Sequence, residues 1–187
     1  TSYLTRIIRV PKYLAGETVR IVIQYYSGST YTGDWQIFGI TTNSGTSYNF
    51  ESGNAGFECE SIRNVSYEDY ADVTWGSVGT GTLTGIWNRD ASGTGSGGTG
   101  LIGPHPTNGT NLSYYLYTET STNGYGSPSR NFWLRSPNFT LGSSLVLGEP
   151  HADSVPTDVT DCCDEITIYH AAYGGTIGQY WVNLIVS

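Results

Sequence analysis

Thr18 to Tyr26 places Val19, Ile21, Ile23 and Tyr25 on one face and Arg20, Val22, Gln24 and Tyr26 on the other. Alternation of period two predicts a strand with one face in a core and a more polar face outside. Residues 3–10 are β-branched and partly alternating, and Pro11 ends them. Further strands are expected at 35–40, 48–51, 114–120, 132–136, 139–147, 166–170 and 180–186. Ser27-Gly28-Ser29 and Asn43-Ser44-Gly45 carry turn chemistry between the early strands. Pro137 stops the strand at 132–136. No helical period persists for the roughly 11 residues of an average helix. Short strands with turns at this spacing predict an all-β fold, an antiparallel jelly-roll β-sandwich.

The pattern weakens between 52 and 110. Residues 65–75 carry Glu68, Asp69 and Asp72 and read as strand, loop or a short helical turn. From about 88 to 111 the chain is dominated by Gly, Thr, Ser, Asn and Pro, which predicts one long surface loop. A boundary there would leave pieces too small to fold well, so residues 1–187 are read as a single domain. Gly93 to Gly100 is no phosphate cradle, because a P-loop needs a Lys and a following helix.

Composition agrees with strands and turns. Of 187 residues, 25 are Gly and 15 are Tyr, and only 13% are charged. The formal charge is −8, Lys12 is the only lysine, and the arginines are scattered. Phosphate binding needs clustered cations, so nucleic acid is not expected as a partner. No apolar run approaches the roughly 20 residues of a membrane-spanning helix, so membrane insertion is not expected. The chain contains no Met. It is therefore expected to be a processed protein or an excised piece.

Cys59, Cys162 and Cys163 cannot all pair within one chain. Two readings stand: one disulfide from Cys59 to Cys162 or Cys163, or none. Metal spacing of the C-x-x-C kind is missing, and no motif places a catalytic partner beside a cysteine.

Phe50-Glu51, Gly56-Phe57, Trp87, Thr99-Gly100, Tyr115-Leu116-Tyr117-Thr118-Glu119, Leu134-Arg135-Ser136-Pro137 and Ile168-Tyr169-His170-Ala171-Ala172-Tyr173-Gly174 follow one another in this order. The series resembles the MAM domain, an extracellular β-sandwich module of adhesion and surface proteins. Gly33 to Ile40 resembles the strand that normally closes that family, yet here it comes early. The resemblance therefore implies a circularly permuted MAM-like sandwich, with residues 33–40 close to 180–186. It also implies a calcium or sodium site at Glu51. The family's late aspartate pair is replaced by Phe38-Gly39, and its loop acid by the Pro104-His105-Pro106 region. Its cysteine framework is reduced to Cys59 and one of Cys162 or Cys163.

Ca²⁺ takes 6–8 oxygen ligands. Asp153, Asp158, Asp161, Asp164 and Glu165 offer carboxylates on one segment, with a solvated acidic loop as the plainer reading. Trp35, Trp87 and Trp181 are the candidate aromatic platforms for a glycan, and burial of any of them would assign it to packing instead. Glu119, with Trp75, Trp87 and Trp133, is the best set for a glycoside hydrolase. No G-x-S-x-G elbow surrounds Ser136, and His105, His151 and His170 are far apart in sequence. His170 reads as a packed core histidine and Glu51 as a strand-end residue satisfied by backbone donors. Four Asn-x-Ser/Thr sequences, at Asn64, Asn108, Asn111 and Asn138, matter only in a secretory eukaryote.

The expected role is non-catalytic: a structural or adhesive module that contacts other copies or other proteins. A carbohydrate-binding module is the alternative, and an enzyme is not expected. The expected setting is extracellular, at a cell surface or on a virion. The missing eukaryotic disulfide framework favours a bacterial or phage relative, such as a capsid-decoration or fibre protein.

Overall fold

The computed structural model describes residues 4–27, 34–63, 73–80, 86–91, 105–107, 110–118, 120, 130–143, 162–173 and 179–187. The strands are β1 (Leu4–Pro11), β2 (Thr18–Tyr26), β3 (Asp34–Thr42), β4 (Ser47–Asn49), β5 (Glu58–Arg63), β6 (Gly76–Ser77), β7 (Gly79–Thr80) and β8 (Trp87–Asp90). They continue with β9 (His105–Thr107), β10 (Thr110–Leu112), β11 (Tyr115–Thr118), β12 (Arg130–Arg135), β13 (Phe139–Thr140), β14 (Cys162–Tyr173) and β15 (Gln179–Val186). A single 3-10 turn, Lys12–Leu14, follows β1. No α-helix occurs among the described residues.

Two sheets pack face to face as a β-sandwich. One runs β1-β14-β3-β11-β8-β7, with β4 beside β11 on the same edge of β3. The other runs β13-β2-β12-β5-β6, with β15 on the opposite edge of β2. The face reading of β2 holds: Val19, Ile21, Ile23 and Tyr25 lie in the shared core. Ile37 and Ile40 of β3, Leu116 of β11, Phe132 and Leu134 of β12, and Ile166 and Ile168 of β14 meet them there. Each such side chain stabilises the fold by about 1.5–3 kcal/mol through removal from water.

Two irregularities decide which residues face where. Tyr169 pairs with Gly39 but His170 pairs with Ile37, which leaves Phe38 as the extra residue of a β-bulge. The bulge turns Ile37 and Ile40 both inward, while Phe38 joins Tyr115, Tyr117 and Ala171 in a second buried cluster. At Ser136 the pairing of β12 with β2 ends on one backbone bond, Ser136 N–H to the Ile21 carbonyl at 2.9 Å, and one side-chain bond. The Ser136 hydroxyl accepts the Ile21 N–H at 2.9 Å and donates to the Pro137 carbonyl at 2.8 Å. The hydroxyl thus supplies the acceptor for the Ile21 N–H that a strand carbonyl would otherwise provide.

Two expectations change. Residues 88–111 are not one uninterrupted loop: Trp87–Asp90 is a strand of the first sheet, and β9 pairs with β10 as a separate two-stranded sheet. The expected strand at 166–170 begins earlier, at Cys162, so the end of the acidic segment is already sheet. Between the two sheets the Trp35 and Tyr180 rings lie 4.8 Å apart.

Candidate functional site

The Cys59 thiol on β5 reaches the Trp87 carbonyl on β8 at 3.9 Å, so the β5–β6 margin of one sheet stands over the β8–β7 margin of the other. Among the described residues the opposite flank is therefore bounded by β1 and β15, the outermost strands on that side. Among the described residues, every exposed large hydrophobic lies on these two strands or on the turn after β1: Leu4, Ile7, Tyr13, Tyr180, Trp181 and Val186. The strands differ in chemistry. The segment 4–12 carries Arg6, Arg9 and Lys12, no acid, and a register shift at Val10/Pro11. β15 has no charged residue and no Pro, and pairs with β2 without a break from Gln179↔Tyr26 to Val186↔Val19.

The three candidate tryptophans separate. Trp35 is 2% exposed and Trp87 is 0% exposed. Their rings lie 5.7 Å apart within the core, so both are packing residues and not glycan platforms. Trp181 is 41% exposed. It shares a register position with Gln24 and lies on the outer face of its sheet. On that face Val22, Val73 and Trp133 form a buried cluster with Trp75 and Ile185 packed against it. The Tyr content also divides: Tyr25, Tyr115 and Tyr117 are fully buried, whereas Tyr13 is 81% exposed.

Carboxylates offered for a cation are used by the protein itself. Glu51 Oε1 accepts the N–H groups of Ser113 at 2.6 Å and Tyr114 at 2.8 Å, the backbone satisfaction expected of a strand-end residue. Arg89 donates to the Phe50 and Glu51 carbonyls and lies over the Tyr114 ring at 3.7 Å. Asp164 is fully buried. It accepts N–H groups from Ser44 at 3.1 Å, Gly142 at 3.0 Å and Glu165 at 2.9 Å, and the Ser44 hydroxyl at 2.5 Å. Among the described residues no three His, Cys, Asp or Glu side chains are grouped to hold a metal. Glu51 Oε1 and both oxygens of Asp164 thus accept hydrogen bonds from the protein itself. Asp153, Asp158 and Asp161, like Glu119 of the hydrolase set and His151, lie outside the described residues.

His170 is the packed core histidine that was expected, at 6% exposure. The Trp35 indole N–H can only donate, and its hydrogen bond is accepted by His170 Nδ1 at 3.1 Å. The ring is therefore neutral with its proton on Nε2. Burial pushes its pKa down, and the Arg6 charge adds to the shift. The unfolded chain then binds a proton below about pH 6.5 that the folded chain refuses. Stability is full above that pH and declines as pH falls through the unfolded value toward the lowered folded one. Urea unfolding at pH 7.5 and 5.5 should show this loss in the native chain and a smaller one in His170→Gln. An equal pH dependence in both would remove His170 as its source.

All three cysteines are free, which resolves the two cysteine readings against a Cys59 bridge to Cys162 or Cys163. Cys59 donates to the Ser77 and Trp87 carbonyls, and burial pushes its thiol up to about 11. Cys163 donates to the Pro11 carbonyl on β1, the neighbouring strand of the same sheet.

The Asp164 junction escaped the sequence because Ser44, Gly142 and Asp164 meet only through the fold. β15 is visible in the sequence as eight consecutive residues without charge or proline. Comparison of the chain with protein-family models, curated proteins and solved structures finds no match.

Proposed function

We propose that the chain is a non-catalytic structural or adhesive module that acts through protein–protein contacts in an extracellular, cell-surface or virion setting. The observation that carries this reading is the concentration of exposed large hydrophobics on the β1 and β15 flank. Unpaired N–H and C=O groups on an edge strand are a template for a further strand, and flanking apolar side chains add burial. The MAM-like resemblance supports the same class of role. In its favour, β3 pairs with β4, which joins the segment resembling the family's closing strand to the one that leads into Phe50-Glu51. The alternation of β1, β14, β3 and β11 in one sheet with β2, β12 and β5 in the other supports the jelly-roll reading.

Light scattering over a concentration series, with calcium and with EDTA, tests the proposal. A 20.2 kDa chain that assembles should give a discrete multiple of that mass, unchanged by EDTA. A monomer throughout would discard self-assembly and favour the second reading, a glycan-binding module. That reading is supported by the exposure of Trp181, and glycan binding lost in Trp181→Ala would be its test.

A further inference from the structure

We propose that β15 is the docking edge for β15 of a second copy of this chain, paired antiparallel about Asn183. The inference rests on the reading of the chain as a protein-contact module and names the partner and the surface. Natural edge strands are guarded by charge, proline, bulges or a covering segment. β1 has two arginines, a terminal proline and a register shift. β15 has eight uncharged residues, no proline, an unbroken register, and β2 as its only strand partner among the described residues. Two chains that each carry −8 can meet here without setting like charges side by side.

The side-chain pattern is self-complementary. Tyr180, Val182, Leu184 and Val186 alternate with Trp181, Asn183 and Ile185. Tyr180 is register partner of the core residue Tyr25, so the first set faces the sandwich interior. Directly opposed residues of an antiparallel pair lie on the same face. Pairing about Asn183 sets Tyr180 against Val186 of the second copy and Val182 against its Leu184, all on the inner face. On the outer face Trp181 meets the second copy's Ile185, and the two Asn183 amides meet on the two-fold axis. Tyr180, Trp181 and Val186 are 36%, 41% and 50% exposed, and this register covers all three. The result is an isologous, closed dimer in which one sheet runs continuously through both copies.

Asn183 is exposed and on the outer face, so a charge there leaves the monomer intact. In the dimer it would stand about 5 Å from its own copy, where like charges repel. Sedimentation equilibrium should give a dimer for the native chain and 20.2 kDa monomers for Asn183→Lys and Asn183→Asp. A mixture of the two variants should recover the dimer, because Lys then faces Asp. Ile7→Lys on β1 should leave the dimer unchanged. An oligomeric native chain whose Asn183 variants keep its mass would overturn the β15 dimer while leaving the protein-contact reading standing. A native chain that stays monomeric would overturn the β15 dimer and self-assembly together.

Discussion

Asp164→Ala is expected to lower the unfolding free energy by about 3 kcal/mol or more, read as a shift of the urea midpoint with unchanged slope. The residue ties the start of β14 to the turn after β3 through Ser44 and to the segment after β13 through Gly142. Truncation leaves the Ser44, Gly142 and Glu165 N–H groups without that acceptor in a site Asp164 occupies at 0% exposure. Each unpaired buried donor costs about 1–3 kcal/mol, and the three costs are not additive because the site can relax or admit water. Asp164→Asn keeps one acceptor oxygen and should cost less than the alanine. A loss below about 1 kcal/mol for the alanine would mean that water replaces the carboxylate. The junction leaves no slack: a Cβ at Gly142 would lie 3.0 Å from the Cys163 carbonyl oxygen and 3.3 Å from the Ser44 Cβ.

Trp35→Ala is expected to cost about 3–5 kcal/mol, the range for removal of a large aromatic from a packed core. Trp35 touches both sheets: its ring lies 5.7 Å from Tyr25, 5.7 Å from Trp87 and 4.8 Å from Tyr180. Its indole N–H also goes to His170, so Trp35→Phe isolates the loss of that hydrogen bond from the loss of volume. The same substitution separates packing from ligand binding. A glycan platform would lose affinity with stability intact, whereas a core residue loses stability. Thermal melts of Trp35→Ala beside Trp181→Ala should show a large drop for the first and a small one for the second, since Trp181 is 41% exposed.

The strands with regular alternation were legible from the residues. β2, with Val19 to Tyr25 on its inner face, matches the expected bounds. Short strands that lean on the rest of the fold were not. β5 was missed because Glu58-Cys59-Glu60 shows little apolar alternation; its place comes from six register pairs with β12. β8 was read as the start of a loop because only Trp87 interrupts its polar run. Of the three candidate tryptophans Trp181 is exposed and Trp35 and Trp87 are buried, a division the sequence does not show, since a tryptophan's type does not reveal whether its neighbours cover it. The carboxylates of Glu51 and Asp164 were likewise visible as residues, but their donors lie 62 or more positions away for Glu51 and as many as 120 away for Asp164.

Residue pattern alone is enough to read the chain as all β, to divide β2 into a core face and an outer face, and to end a strand before Pro137. These follow from period, turn chemistry and a missing N–H, which are local properties. It took the folded arrangement to settle which tryptophan stays in solvent, which carboxylates accept N–H donors, and that β1 and β15 bound one flank among the described residues. Those outcomes depend on pairing between distant segments, and in a sandwich of 187 residues the neighbours that bury or expose a side chain come mostly from such pairing.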